Sequence, residues 1–288
     1  MKIPSNNVGT VVKHYSDQIG SLYPQKEANA IIWLLMDDLF EINRFALASN
    51  PDLRLSESEL LLIHKACKKI LQNIPVQYVT GKSEFFGLQF KVNESVLIPR
   101  PETEQLAQII FKELPLQPVR ILDIGVGSGA IVVSLKKNRP DCILYGCDIS
   151  STALETAREN ARIHETDIHF FECDILSNAA VKLIPDVDVI VSNPPYVCQS
   201  EKALMRSNVL QNEPHDALFV PDDNPLLFYK TITGVASERL SSEGKLFFEI
   251  NERFGEEVAG VLQKYSFTNI SILKDFNDKD RFVKGEKE

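Results

Sequence analysis

From residue 119 onward, short and nearly continuous apolar runs alternate with segments of helical period, and this alternation restricts the fold more than any other feature. The predicted strands are residues 119–124, 142–147, 169–173, 187–191 and 245–250. Strands that are apolar along their whole length are expected where helices cover both faces of a sheet. The chain is therefore predicted to contain a doubly wound, Rossmann-like α/β sheet, and residues 267–273 and 281–283 are expected to give it an antiparallel end.

The residues before this sheet divide into two parts. Residues 1–75 are predicted to be a small helical domain, because their apolar residues follow a helical period and Ser56 with Glu59 forms a capping-box pattern. The apolar stripes of these helices have two possible uses, a private core or a docking face for a partner. Residues 76–100 are predicted to be a β-hairpin linker that turns at Asn93 and Glu94, and residues 101–288 the sheet domain.

Charge and composition exclude several classes of protein. The first 75 residues hold equal numbers of acidic and basic side chains, so residues 76–288 carry the whole net charge of −9. Such a segment is a poor partner for phosphate backbones, so we expect no nucleic-acid partner. No apolar run is long enough for a membrane span or a signal peptide, and the five cysteines lack metal-ligand spacing. We expect a cytoplasmic protein without a membrane partner, disulfide or bound metal.

A glycine-rich loop follows the first predicted strand and leads into a helix. The residues expected to contact a cofactor here are Asp123, Gly125, Val126, Gly127, Ser128 and Gly129. Glycines at a strand-to-helix turn allow positive φ and a close approach of ligand to backbone. Asp148 ends the second strand, where a carboxylate can accept hydrogen bonds from both ribose hydroxyls. These two features fit either a nicotinamide dinucleotide or S-adenosylmethionine.

Two further acidic residues bear on the cofactor. Asp123 beside the loop would repel a pyrophosphate but suits a ligand that carries an ammonium and a sulfonium, which favours S-adenosylmethionine. Asp174 and Ile175, after the third strand, are placed to accept from an adenine amino group and to pack against its ring. A helix-capping role for Asp174 is an open alternative.

The tetrapeptide Asn193-Pro194-Pro195-Tyr196 follows the fourth strand, at the end of the sheet where ligands bind. The prolines stiffen the segment and expose carbonyl groups beside the Asn193 carboxamide, and Tyr196 supplies a flat face. Two acceptors, the Asn193 side-chain oxygen and a proline carbonyl, can accept hydrogen bonds from both N–H groups of an amide or aromatic amine. They can thereby direct its nitrogen toward a methyl group. The alternative is a polar turn without a catalytic role.

Three further segments accompany the tetrapeptide. They are residues 75–81, 84–87 and 97–104, which read PVQYVTG, EFFG and LIPRPETE. In this order they resemble signatures of the HemK/PrmC family of protein-(glutamine-N5) methyltransferases, and the resemblance covers nearly the whole chain. It implies a class I methyltransferase sheet and transfer of a methyl group from S-adenosylmethionine to the glutamine of the Gly-Gly-Gln motif in peptide chain release factors, leaving S-adenosylhomocysteine.

The resemblance also implies roles for individual residues. The glycines of the loop line the methionyl part of the cofactor, Asp148 holds its ribose, and Asp174 with Ile175 flanks the adenine. Asn193, Pro194 and Pro195 hold the substrate glutamine, with Tyr196 packing against it. The helical domain helps to grip the release factor.

Arg100 is interpreted as a solvated loop charge or an ion-pair partner of Glu102 or Glu104. Two segments depart from the family pattern: residues 216–229 are not glycine-rich, and Asn251 stands where glycine is common. The alternatives to the glutamine methyltransferase are an adenine amino-methyltransferase acting on DNA or RNA, a nicotinamide-dependent oxidoreductase, and a non-enzymatic cofactor-binding adaptor.

Overall fold

A computed structural model describes residues 5–177 and 179–288. The helices are α1 (Val8–Ile19), α2 (Gln25–Phe40), α3 (Arg44–Ser49), α4 (Glu57–Ile70), α5 (Val76–Thr80), α6 (Pro101–Glu113), α7 (Ala130–Asn138), α8 (Ser151–Ile163), α9 (Ala180–Leu183), α10 (Ser207–Asn212), α11 (Leu227–Arg239) and α12 (Gly255–Lys264). The strands are β1 (Lys82–Phe85), β2 (Leu88–Lys91), β3 (Arg120–Ile124), β4 (Ile143–Asp148), β5 (His169–Glu172), β6 (Val187–Ser192), β7 (Val197–Cys198), β8 (Phe219–Val220), β9 (Leu240–Glu249), β10 (Phe267–Lys274) and β11 (Asp280–Lys287).

The chain forms two compact units. The first runs to Lys82 and also includes Arg206–Asn212, and the second comprises Ser83–Met205 and Glu213–Glu288. The division at residues 75 and 100 stays a prediction. Among the residues that the structure describes, no helix combines the length and apolarity needed to cross a membrane.

The first unit is helical, as predicted. Helices α1, α2 and α4 pack their apolar faces into one core that includes Tyr15, Leu35 and Ile63. The predicted capping box at the start of α4 is confirmed, because the Ser56 side chain accepts from the Glu59 N–H and the Glu59 carboxylate accepts from the Ser56 N–H. The apolar stripes therefore supply a core of this unit.

The second unit contains a seven-stranded sheet in the order β10, β11, β9, β6, β3, β4, β5. Strands β9, β6, β3, β4 and β5 are parallel, and β10 and β11 form an antiparallel end, as predicted. One core packs α6, α7 and α8 against the sheet, and a second core contains residues of α9, α11 and α12. The doubly wound α/β fold is confirmed, with strand ends that differ from the predicted ones by a few residues.

The predicted hairpin is wrong in its position. The two strands are β1 and β2, and the chain reverses at Phe86 and Gly87, which have φ values of 53° and 71°. Positive φ at both central residues is the geometry of a two-residue hairpin turn. Asn93 does form a turn, in which its side chain accepts from the Ser95 N–H, but residues 96–98 are not a strand.

Candidate active site

A cavity of about 440 Å³ opens at the carboxyl ends of the parallel strands. This size is within the range of small-molecule sites, and this edge is where open α/β sheets bind ligands. The structure brings together at this cavity most of the residues predicted from the sequence. They are Asp123, Gly125, Val126, Gly127, Ser128, Asp148, Asp174, Ile175, Asn193, Pro194 and Pro195.

The glycine loop has the backbone conformation predicted for it. Gly125 and Gly127 have φ values of 77° and 52°, and no atom lies within 4 Å of the position that a Cβ would occupy on either. Gly129 is different, because a Cβ there would lie 3.3 Å from the Cβ of Ala157, and it is not among the residues that line the cavity. Gly125 and Gly127 leave room for a ligand, whereas Gly129 lets α7 pack against α8.

Asp148 is fixed by the backbone. One carboxylate oxygen accepts from the Gly127 N–H at 2.9 Å and the other accepts from the Ser150 N–H at 2.9 Å. Burial raises the pKa of Asp148, and these backbone donors oppose that rise. A carboxylate can accept about four hydrogen bonds in total, so the group keeps acceptor capacity for a hydroxyl donor of a ligand.

Asp123 lies beside Asp148 and is 2% exposed. Burial, with a smaller contribution from the Asp148 charge, raises the pKa of Asp123 to about 8. Its Oδ1 atom has no hydrogen-bond partner among the described residues. A buried carboxylate oxygen without a partner is stabilised by a proton or by a nearby cation, so this end of the cavity suits the ammonium of an amino acid and disfavours a pyrophosphate.

Asp174 and Ile175 follow β5 in a turn. The Asp174 carboxylate accepts from the Leu176 N–H at 2.9 Å, and the N-cap of the next helix is Ala179. The helix-capping alternative for Asp174 is therefore wrong, since its side chain stabilises a turn and lines the cavity. Ile175 is 8% exposed and presents an apolar surface beside it.

Asn193 and Tyr196 are connected to residues that the sequence did not single out as site residues. The Asn193 side chain donates from Nδ2 to Thr103 Oγ1 at 3.0 Å, and Thr103 Oγ1 donates to Glu249 Oε2 at 2.6 Å. The Tyr196 hydroxyl donates to Glu249 Oε1 at 3.0 Å. Tyr196 is not among the residues that line the cavity, so its hydroxyl supports the site from behind.

Several lining residues were missed by the sequence reasoning. They include Thr103, Pro214, Asp216, Ala217, Phe219 and Phe228. A signal for Thr103 was present in the signature that spans residues 97–104, but its partner Glu249 is 146 positions away. Glu249 directly follows the apolar run at residues 246–248 at the end of β9, and an acidic residue there is a signal that a polar group is needed at that end of the sheet.

Arg100 has a different partner from the two that were predicted. Its guanidinium donates to Glu213, whose side chain is 1% exposed, and Glu213 also accepts from the Ile98 N–H at 3.3 Å. This pair, in which Glu213 is buried and Arg100 is partly exposed, holds the segment before α6 against the segment that starts at Glu213 and continues into residues 214–219. The segment that departs from the family pattern therefore contributes part of the cavity wall, and it contains β8, which pairs with β7.

Two family models match the chain. The model "PrmC N-terminal domain" matches residues 11–81 and the model "Methyltransferase small domain" matches residues 101–218. A solved methyltransferase from Pyrococcus furiosus has a TM-score of 0.52 and 18% identity over 76% of this chain and 96% of its own, a likeness that supports the fold. The glycine loop thus belongs to a methyltransferase domain and not to a nicotinamide-dependent oxidoreductase.

Relatives match over almost the full length. The chain is 42% identical to the release factor glutamine methyltransferase of Flavobacterium psychrophilum, over 95% of this chain and 98% of that protein. It is 37% identical to the enzyme of the same name from Bacteroides thetaiotaomicron, again over 95% and 98% of the two chains. The chain belongs to the release factor glutamine methyltransferase family.

Proposed function

We propose that this chain transfers a methyl group from S-adenosylmethionine to the side-chain amide nitrogen of the glutamine in the Gly-Gly-Gln motif of peptide chain release factors. One observation carries the proposal: the Asn193 carboxamide and the carboxylates of Asp123 and Asp148 line the same cavity. A carboxylate pair suits the cationic donor, and an amide with an acceptor oxygen suits a nitrogen that carries two hydrogens.

The cofactor half of the cavity fits S-adenosylmethionine. When bound, this cofactor supplies a methyl group attached to a positively charged sulfur. Asp123 would pair with the ammonium of its methionyl part, and Asp148 would accept hydrogen bonds from the ribose hydroxyls. Asp174 and Ile175 would hold the adenine. The loop residues Gly125, Val126, Gly127, Ser128 and Gly129 would surround or support the methionyl part.

The part of the cavity at Asn193 binds the methyl acceptor. An amide nitrogen is a weak nucleophile because its lone pair is delocalised. Asn193 Oδ1 and the Pro194 carbonyl accept hydrogen bonds from the two N–H groups of the glutamine amide, and Pro195 stiffens that segment. These acceptors orient the nitrogen and stabilise the positive charge that develops on it, so no strong general base is needed. The nitrogen gains the methyl group, loses one proton to water, and S-adenosylhomocysteine is released.

The partner is a protein. Residues 1–75 form a recognition domain for the release factor, residues 76–100 a linker, and residues 101–288 the catalytic domain. The net charge of −9 is an unfavourable background for binding DNA or RNA, so nucleic acid is not the substrate.

The direct test compares acceptors. Purified chain and labelled S-adenosylmethionine are incubated with a release factor, with double-stranded DNA and with ribosomal RNA, and the release-factor peptides are then analysed by mass spectrometry. We expect one methyl group on the glutamine of the Gly-Gly-Gln motif. Label in nucleic acid alone would replace the glutamine by an adenine amine as the acceptor.

The Asn193→Ala variant tests the chemistry. We expect the loss of one acceptor in the transition state to lower kcat by roughly 100-fold or more, with affinity for S-adenosylhomocysteine little changed. A release factor with glutamine replaced by alanine is the matched substrate control. Unchanged turnover by Asn193→Ala would refute the role of this side chain.

A further inference from the structure

Glu249 is a buried carboxylate that the proposed chemistry does not use. It ends β9 and is 1% exposed. Burial raises its pKa, hydrogen bonds from Thr103 and Tyr196 oppose the rise, and the nearby charges are Arg281 and Glu102. Burying such a group is costly unless hydrogen bonds or a charged partner compensate for the lost hydration.

The hydrogen bonds of Glu249 have a defined direction. The Thr103 hydroxyl donates its single hydrogen to Glu249 Oε2 at 2.6 Å. Thr103 Oγ1 is then left with acceptor capacity alone toward Asn193. The Asn193 carboxamide must therefore turn its NH₂ group to Thr103, which agrees with the Nδ2 to Oγ1 distance of 3.0 Å. Oδ1 is the end that remains for a ligand.

We propose that Glu249 and Thr103 are positioning residues that fix which end of the Asn193 carboxamide faces the methyl acceptor. The inference rests on the proposed function, because it explains how Asn193 is held as an acceptor for an N–H group. If the Asn193 carboxamide were rotated by 180°, its NH₂ group would face the N–H groups of the substrate. Both would be donors, so no hydrogen bond could form between them. A carboxamide has nearly the same shape in both orientations, so only its hydrogen-bond partners can select one.

Tyr196 holds the Glu249 carboxyl group in place. Its hydroxyl donates to Glu249 Oε1, so both oxygens of the carboxylate are held and Oε2 stays directed at Thr103. Its backbone carbonyl accepts from Asn251 Nδ2 at 3.2 Å, which fixes the position of Tyr196 after the two prolines. The last residue of the tetrapeptide therefore serves to hold Glu249.

Three variants separate this role from ordinary structural support. Thr103→Val keeps the shape of the side chain but removes the hydroxyl, so Asn193 loses the acceptor that orients it. Thr103→Ser keeps the hydroxyl and loses only a methyl group. Glu249→Gln replaces the obligate acceptor by a group that can also donate, which allows Thr103 to turn its hydrogen toward Asn193.

We expect Thr103→Val and Glu249→Gln to lower kcat with the release factor by roughly 10- to 100-fold, while the KM for the release factor changes by less than about threefold. Affinity for S-adenosylhomocysteine should stay within about threefold of the wild type, because Asp123, Asp148 and the glycine loop are not altered. Thr103→Ser should recover most of the kcat that Thr103→Val loses. A purely structural role would instead lower stability and affect all of these quantities together.

The Asn193→Ala variant, measured beside them, distinguishes the two ways in which the reasoning can fail. Full activity of Asn193→Ala would overturn the proposed function itself. Loss of activity in Asn193→Ala together with wild-type kcat in Thr103→Val and Glu249→Gln would overturn the positioning role alone. Failure of Thr103→Ser to recover kcat would do the same, since the hydroxyl would not be the group that matters.

A spectroscopic measurement covers the case in which Glu249→Gln folds poorly. In ¹⁵N-labelled protein, the side-chain NH₂ signals of Asn193, assigned by their absence in Asn193→Ala, should exchange slowly with solvent in the wild type and in Thr103→Ser. They should exchange faster in Thr103→Val, because Nδ2 has lost its acceptor. Equal exchange rates in Thr103→Val and the wild type would contradict the proposal.

Discussion

Asp123→Asn should stabilise the protein in the absence of cofactor while weakening cofactor binding. Burial, together with Asp148, raises the pKa of Asp123 to about 8, whereas the ordinary value is 3.8. The folded protein must therefore keep a proton that the unfolded chain releases. This lowers the free energy of unfolding as pH rises between about 4 and 8, and by linkage the loss reaches about 4 kcal/mol at pH 7.

Asparagine at position 123 does not ionise, so it removes this pH-dependent loss of stability, but it keeps a polar group in the same place. The Oδ1 atom of Asp123 has no hydrogen-bond partner in the described residues, so the asparagine amide would be incompletely bonded, at a cost of about 1–3 kcal/mol. The expected net gain at pH 7 is about 2 kcal/mol, which corresponds to a rise in Tm of roughly 4–8 °C for a domain of this size. The gain should shrink toward pH 5, where less of the penalty applies to the wild type.

Cofactor affinity should change in the opposite direction. Without the carboxylate, the ammonium of S-adenosylhomocysteine loses its charged partner, and we expect its Kd to rise roughly 10- to 100-fold. The assay is thermal unfolding of both proteins from pH 5 to pH 8.5, followed by calorimetric titration with S-adenosylhomocysteine. Asp167→Asn, at an exposed carboxylate, is the matched control and should change stability by less than about 0.5 kcal/mol. A Tm for Asp123→Asn at or below that of the wild type at pH 8 would refute the reasoning.

Three further outcomes are expected. Gly127→Ala should lower the free energy of unfolding by about 1 kcal/mol in urea unfolding, because the φ of 52° at this position is unfavourable for alanine. It should also weaken the binding of S-adenosylhomocysteine in calorimetric titration, because the added methyl group stands beside the ligand. Glu213→Ala should lower the free energy of unfolding by about 2 kcal/mol, because it removes the acceptor of the buried Ile98 N–H and the partner of the partly exposed Arg100. Glu159→Ala, at the exposed pair with Lys91, should cost less than about 1 kcal/mol in the same urea assay. Asp188 has its pKa lowered by Arg120, so its contribution to stability is present above the ordinary pKa of an aspartate and is lost as pH falls through the lowered value; the Tm difference between wild type and Asp188→Asn should disappear under acid conditions.

The sheet could be predicted from the sequence because its strands are buried on both faces. Such strands are continuous apolar runs, and Ile121, Leu122 and Ile190, for example, have no exposed surface at all. The glycine loop and Asp148 were also predictable, since they stand at the ends of two consecutive strands and the chemistry of a strand-to-helix turn limits which residues can stand there. Local patterns suffice where the interaction itself is local.

The hairpin was misplaced because alternation alone does not show where a strand turns. Phe86, Leu88, Phe90 and Val92 fit one strand of period two, but Phe86 and Gly87 form the turn. Phenylalanine is a rare choice for positive φ, so only the glycine gave a local signal. Phe85 and Phe90, on opposite sides of this turn, are both buried and lie 6.0 Å apart between ring centres, which is a tertiary reason for the reversal.

The contacts between Glu249, Thr103 and Asn193 follow from strand order and could not be deduced from spacing. Parallel pairing sets the end of β6 between the ends of β9 and β3, with Ser192 opposite both Phe248 and Ile124. Asn193 therefore follows a strand flanked by the ends that carry Glu249 and Asp123, although these two residues are far apart in the chain. A sequence pattern identifies each residue as polar at a strand end, but only the order of strands says which ones are neighbours.

The same strand order separates two uses of a buried carboxylate. Glu249 accepts a hydrogen bond from a protein side chain at each of its oxygens, from Thr103 and from Tyr196, and it is not among the residues that line the cavity. Asp123, two strands away, keeps one oxygen without a partner and so requires a proton or a cationic ligand. The hydrogen-bond partners of each carboxylate, and not the number of acidic residues, therefore decide which of the two is suited to pair with a cationic ligand.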